Sequence, residues 1–276
     1  MSGILYVVGT PIGNLSDFSP RAQEILSEVD FIAAEDTRVT LKLLNHFDIK
    51  KPMVSYFEHN KYQRGEMICQ RIEAGENCAL VSDAGMPAIS DPGEMLVAQC
   101  AERNIPVLVV PGPSAVVSAL AISGLPTGRF TFEGFLSTAK KSRREHLEEV
   151  RGEKRTMVFY EAPHKLLSTL EDMLSAWGNR RIAIVRELTK IHEEVRRTTL
   201  EEAVAFYGEN TPKGEFVLVI EGAKPEETNE MTPEQAVCLA RDLMEQGYSA
   251  SEAAKEAAKA SSLKKGELYR KLMEEK

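Results

Sequence analysis

Tryptophan and cysteine are scarce in this chain of 276 residues, which holds one Trp and four Cys. The cysteines, Cys69, Cys78, Cys100 and Cys238, form no C-x-x-C pair and have no histidine pair near them. That spacing speaks against a zinc module and against a disulfide framework, so they read as reduced, buried thiols of a cytoplasmic protein with no metal. Bases are also short, 34 against 42 acids, for a formal charge of −8. A chain that coats duplex DNA would carry the opposite balance, although a local basic cleft for RNA remains compatible with it. The N-terminal MSGILYVVGTP has neither a basic region nor a long apolar stretch, so no signal peptide is expected. One charge-free run, Asn104 to Gly128, is broken by Pro106, Pro111, Pro113, Pro126 and three glycines. A lipid-spanning helix would not be punctuated this way, and no membrane insertion is expected.

What is present is an ordinary globular composition, 43% hydrophobic and 28% charged. A chain this long buries about three quarters of its extended surface. Short β-branched runs alternate with amphipathic patterns from the start. Strands are expected over Ile4–Val8, Phe31–Ala34, Met53–Tyr56, Cys78–Ser82 and Val107–Val110, with helices near Pro20–Val29, Thr37–Phe47, Arg64–Ala74, Glu94–Glu102 and Ala115–Ser123. Apolar strands separated by helices imply a parallel sheet covered on both faces. A less regular second half offers strands at Phe130–Glu133, Thr156–Tyr160, Ile182–Val185 and Phe216–Ile220, and helices near Arg143–Val150, His164–Trp177 and Leu200–Phe206. The expected organisation is an N-terminal α/β domain over 1–124, a second α/β domain over 125–223, an acidic linker over 224–231 and a helical, helix-turn-helix-like module over 232–276. Thr232-Pro233-Glu234-Gln235 is a capping-box start for that module, and Ser249 or Ser251 can cap its second helix.

In an open parallel sheet, ligands bind beyond the carboxyl ends of the strands. Three turns there are rich in Gly and Pro: Gly9-Thr10-Pro11-Ile12-Gly13-Asn14, the long Ser82-to-Gly93 segment, and Pro111-Gly112-Pro113-Ser114-Ala115. None is a G-x-G-x-x-G or Walker loop, which counts against a nucleotide-binding dehydrogenase. Asp83 can accept hydrogen bonds from a ligand, and Asp91 before Pro92 can cap the next helix. The third turn opens a helix whose free amides suit the polar atoms of a ligand.

GTPIGNL, AAEDTR, SDAGMPAISDPG, PGPSA, FEGF, FYEAPHK and RELTKIHEE, in this order and spacing, resemble the tetrapyrrole methylase superfamily over roughly residues 4 to 222. The resemblance is to its ribosomal RNA branch, the small subunit methyltransferase I family. It implies two α/β domains with a cofactor cleft between them and a homodimer. The activity it implies is S-adenosyl-L-methionine-dependent methylation of a ribose 2′-oxygen, on a cytidine of 16S rRNA in the decoding region of the small ribosomal subunit. Carried over by position, the cofactor contacts are Ile12, Asp83, Met86, Ser114 and Ala115, with Glu161 further along the cleft. After Phe132-Glu133-Gly134-Phe135-Leu136 the family commonly continues with Pro, a base and Lys. This chain instead has Ser137-Thr138-Ala139-Lys140-Lys141.

Methyl transfer from a sulfonium needs alignment and water exclusion, and a weakly acidic ribose hydroxyl gains from a base or a cation nearby. Arg38 and Lys190 are candidates to hold phosphates or favour the alkoxide, and His59 or Glu161 to accept the proton. Asp36 and Thr37 fit better as helix caps. Substrate charge is expected to meet Lys140, Lys141, Arg143 and Arg144, in a segment to Arg155 with seven bases and four acids. From Lys255 to Lys276 the balance is likewise seven to four, which a solvated helix face or nucleic-acid contact explains equally well. A small-molecule methylase and a non-enzymatic RNA-binding assembly factor are the competing readings.

Overall fold

The computed structural model describes residues 2–224, 231–261 and 263–274. Contacts group the chain into two units, residues 1–223 and 224–276. Most of the linker expected over 224–231, and Lys276 of the basic count, lie outside the described residues.

The first half of the larger unit is one parallel sheet. Its strands are β1 (Leu5–Val8), β2 (Phe31–Ala34), β3 (Met53–Ser55), β4 (Cys78–Val81) and β5 (Val107–Val110), in the order β3-β2-β4-β1-β5. Successive side chains point to opposite faces. Leu5, Val7, Phe31, Ala33, Cys78 and Leu80 meet helices α3 (Lys61–Glu73) and α4 (Gly93–Glu102). Ile32, Ala34, Ala79 and Val81 meet α1 (Pro20–Glu28) and α2 (Thr37–His46) on the other side. The Ser19 side chain caps α1 with Pro20 in its first turn, and Asp36 caps α2, as their sequence chemistry suggests.

Helix α5 (Ala115–Ile122) does not return to this sheet. Val116, Ala119 and Leu120 pack on the second sheet, against Val158, Ala183, Val185, Val217 and Val219. That sheet comprises β6 (Phe130–Phe135), β7 (Thr156–Glu161), β8 (Arg181–Arg186), β9 (Glu194–Thr199) and β10 (Phe216–Ile220), ordered β6-β7-β10-β8-β9. Only the β6–β7 pair is parallel. The alternate residues Phe216, Leu218 and Ile220 face α6 (Lys140–Glu149), α7 (Leu166–Trp177) and α8 (Leu200–Glu209).

Three sequence expectations need correction. Strand β9, Glu-Val-Arg-Arg-Thr-Thr, was not anticipated, because a polar edge strand has no apolar run to announce it. Strand β5 is not covered on both faces: it is an edge, with Leu108 45% and Val109 54% exposed, because α5 leaves for the other sheet. Cys238 is exposed, whereas Cys69, Cys78 and Cys100 are buried free thiols.

The smaller unit contains α9 (Pro233–Glu245), α10 (Ala250–Ala260) and α11 (Lys265–Glu274) around Ala236, Val237, Ala240, Ala253, Ala254, Ala257, Leu268 and Leu272. Capping boxes at Thr232–Gln235 and Ser249–Glu252 start its first two helices.

One buried ion pair ties α6 to α7. Arg143 and Asp172 are each 8% exposed, with Arg143 Nη2 2.7 Å from Asp172 Oδ2. Burial works against the Asp172 carboxylate, but the hydrogen bonds from Arg143 and Arg144 outweigh it and hold the group below its ordinary range. Removing one partner strands a charge, so Asp172→Ala should lower stability in urea by about 3 kcal/mol, while Arg143→Met combined with Asp172→Leu recovers most of it.

Candidate active site

The sheet order puts β1 between β4 and β5, so the three Gly/Pro-rich turns that follow these strands are neighbours. Their backbones interlock. Thr10 and Gly85 exchange amide hydrogen bonds of 2.9 and 3.1 Å, and the Gly9 amide donates to Val110 O at 3.0 Å. A Cβ on Gly9 would lie 2.6 Å from Gly112 Cα and 2.7 Å from Met86 Sδ, so neither glycine tolerates a side chain without moving the other turn. Gly85 has φ +84°, which favours glycine. A Cβ there would meet Ile12 and the Pro113 carbonyl. The structure therefore brings the turns of Ile12, Met86, Ser114 and Ala115 together.

At α5 the N-cap residue Ser114 makes no side-chain capping bond, which leaves its hydroxyl for a ligand, while the Val116 amide of the first turn donates to the Tyr160 hydroxyl. Asp83 is exposed at the end of β4, and its Oδ1 accepts the Asp36 amide at 2.9 Å. Burial, then the charges of Asp83 and Asp91, push the Glu35 carboxyl above its ordinary range. Burial likewise raises Asp83 and Asp91. Asp91 is a local cap: its Oδ1 accepts from the Ala88 and Gly93 amides at 3.0 and 2.7 Å. Three crowded carboxylates at this rim make a negative potential suited to a cationic ligand. An interlocked backbone cradle, a helix start without a side-chain cap and an acidic rim fit a sulfonium cofactor with an amino-acid tail.

The second sheet reaches the same place. A Cβ on Gly13 would lie 2.5 Å from Lys190 Cγ and 2.9 Å from Thr189 Oγ1. Thr189 Oγ1 is buried without a hydrogen-bond partner. Glu187 and Thr189 both have positive φ, 51° and 63°, so this β8–β9 turn is strained where it meets the first turn. Lys190 Nζ donates to Glu187 Oε1 at 3.0 Å and Glu215 Oε2 at 2.8 Å. Burial disfavours its charge, but these two carboxylates outweigh burial and hold the ammonium above the ordinary lysine range.

Other candidates fall elsewhere or are occupied. Glu161 is buried, with Oε2 accepting from Thr169 Oγ1 at 2.6 Å and Oε1 from the Ala162 amide at 2.8 Å. Arg38 is exposed but doubly bonded to Asp36, whose carboxyl is held down at about 2 chiefly by that hydrogen bond. His59 is exposed, its ring 6.2 Å from that of Phe57. Lys140, Lys141 and Arg144 share the exposed face of α6 with Glu145 and Glu148. Arg143 does not belong with them: its guanidinium is buried on Asp172, so this part of the expected substrate patch is structural. Sequence reasoning placed Gly9, Gly85 and Gly112 in the three turns but not their mutual contact, and it held Glu187 and Thr189 within the RELTKIHEE motif. It missed Glu215, which no local pattern marked.

The chain belongs to the tetrapyrrole (corrin/porphyrin) methylase family, whose sequence profile matches residues 4–204. Its similarity is more particular than that. The ribosomal RNA small subunit methyltransferase I of Synechocystis sp. is 50% identical over 273 residues, 99% of this chain and 98% of that one. The protein of the same name from Halalkalibacterium halodurans is also 50% identical, over 97% of this chain and 93% of its own. Among solved structures, uroporphyrin-III C-methyltransferase from Thermus thermophilus complexed with S-adenosyl homocysteine shares the fold. Its TM-score is 0.55 at 17% identity, covering 79% of this chain and 97% of that one.

Asp83→Asn tests the acidic rim, since the amide oxygen can keep the Asp36 bond while the charge is lost. Affinity for S-adenosyl-L-methionine should fall roughly tenfold to a hundredfold in calorimetry. Stability should move the other way. A raised carboxyl pKa contributes stability that is full below the ordinary carboxylate pKa and lost as pH rises through the raised value. The variant should therefore melt above the wild type at neutral pH, and that advantage should vanish near about pH 4.

Proposed function

We propose that this chain transfers the methyl group of S-adenosyl-L-methionine to the ribose 2′-oxygen of a cytidine in 16S rRNA, in the decoding region of the small ribosomal subunit. The observation that carries this reading is the interlocked three-turn cradle in a chain half identical, end to end, to proteins named ribosomal RNA small subunit methyltransferase I. The small-molecule alternative has behind it the profile of a family described as corrin/porphyrin methylases, and a shared fold at 17% identity.

The bound donor supplies an already activated methyl group. The chain's own residues bind it, align it and keep water out. Asp83 faces its cationic end, Ile12 and Met86 give apolar contact, and the Ser114 hydroxyl with the Ala115 end of α5 takes polar atoms. Lys190 stays protonated between Glu187 and Glu215, so it acts as a cation that steadies a developing alkoxide or a phosphate. Glu161, with both oxygens engaged, shapes the turn after β7 and leaves His59 as the candidate proton acceptor. Lys140, Lys141, Arg144 and Arg38 meet RNA phosphates. The enzyme works in the cytoplasm, where the small subunit is its partner.

The uncovered edge of the first sheet supports a homodimer. Leu108 and Val109 on β5 and Val117 on α5 are 45–54% exposed, an apolar strip on an open strand edge that a second copy would bury. Leu108→Asp with Val109→Asp should convert the dimer to monomer in light scattering. An unchanged mass would remove this edge from the interface.

Incubating the protein with S-adenosyl-L-methionine and small subunits from cells lacking the enzyme should add one 2′-O-methyl group to a 16S rRNA cytidine. Methylation of a porphyrinoid instead, with subunits left unmodified, would refute the proposal.

A further inference from the structure

The turn that joins β3 to α3 does something the fold does not require: it displays aromatic rings. Phe57 is 38% exposed, Tyr62 is 67% exposed, and the exposed His59 lies between them in sequence. Lone exposed rings are ordinary, but a group of them within six residues marks a contact surface.

The turn beneath them is rigid. Tyr56 is buried, its hydroxyl donating to Pro92 O at 3.1 Å and its amide to Ala34 O at 2.8 Å. Asn60 accepts the Phe57 amide at 2.8 Å and donates to Ser55 O at 3.2 Å, closing the loop from both sides. Phe57 and His59 hold an edge-on arrangement at 85°. Such rings lose little freedom on binding a flat partner.

Their position is specific. Ala34 of β2 pairs with Ser55 of β3; Phe57 follows two residues beyond Ser55, and Asp36, two residues beyond Ala34, has its amide bonded to Asp83. Two strand spacings, roughly 10 Å, separate the β3 and β4 strand ends. That is the scale of one nucleoside. Beside Tyr62 on α3 stand Lys61, whose ammonium lies 5.7 Å from the Tyr62 ring centre and on Glu58, and Arg64, with its guanidinium on Met67 Sδ. Rings that present open faces among cations match a base with its phosphate, because every base has a stacking face and single-stranded RNA offers unpaired ones.

We infer that Phe57 and Tyr62 form a stacking platform that receives an unpaired base of the RNA substrate beside the methyl-donor cradle. The inference rests on the proposed reading of the chain as an RNA ribose methyltransferase and names how that substrate is held. The rings act on substrate position and leave donor binding to the three turns.

The test uses the full-length protein with Phe57→Ala, Tyr62→Ala, the double variant, and the ring-keeping pair Phe57→Tyr and Tyr62→Phe. Three quantities are read: KM and kcat on small subunits, S-adenosyl homocysteine affinity, and fluorescence quenching of a single-stranded RNA carrying 2-aminopurine. Each ring deletion should raise KM roughly tenfold and weaken the quenching, and the double variant more so, with kcat and S-adenosyl homocysteine affinity nearly unchanged. The ring-keeping variants should behave as the wild type. Wild-type KM and quenching in the double variant would overturn the platform, as would an equal loss in the ring-keeping variants. A change of oligomeric mass in the double variant would reassign the rings to a contact between copies. A wild type that fails to methylate subunits would sink the enzymatic reading alone, and the quenching arm would still decide the platform.

Discussion

The contact on which the rest depends is backbone against backbone: Gly9 lies against Gly112 while Thr10 and Gly85 trade hydrogen bonds. Three loops that would each be mobile alone are thereby held as one surface. The close approach needs residues without a Cβ, and the paired amides need the antiparallel exchange between two turns that lie far apart in the chain. A ligand bound there would meet groups whose positions are already settled, which would spare much of its ordering cost.

Helix α5 joins this grip to the second half of the unit. Its first turn faces the cradle, and its apolar side is buried on the second sheet. Packing energy from the second sheet therefore holds the helix amides in place. The same arrangement strips β5 of cover and leaves its apolar edge exposed. The strained Glu187–Lys190 turn, wedged against Gly13, is a second tie between the halves.

Charge is divided by role. Glu35, Asp83 and Asp91 crowd one rim, where their mutual repulsion and burial oppose stability and favour a cation. Exposed bases gather on α6, where Lys140, Lys141 and Arg144 face solvent. Within α6 the roles split again: Arg143 closes a buried pair, whereas Lys140 and Lys141 remain in solvent. Spacing alone could not separate them, because the distinction lies in what Asp172 of α7 reaches.

Local rules settled a good deal. Short continuous apolar runs marked β1, β2, β4 and β10, Ser19-Pro20 and Thr232-to-Gln235 marked helix starts, and Gly/Pro-rich turns after apolar strands marked the cradle's parts. These signals are written within a few residues, where propensity and capping chemistry act. Strand order is not. That β1 lies between β4 and β5, that polar β9 closes the second sheet, that α5 changes sheets and that Arg143 is buried all follow from pairings between distant segments. Burial and hydrogen-bond satisfaction over the whole chain decide those pairings, and no local pattern records them.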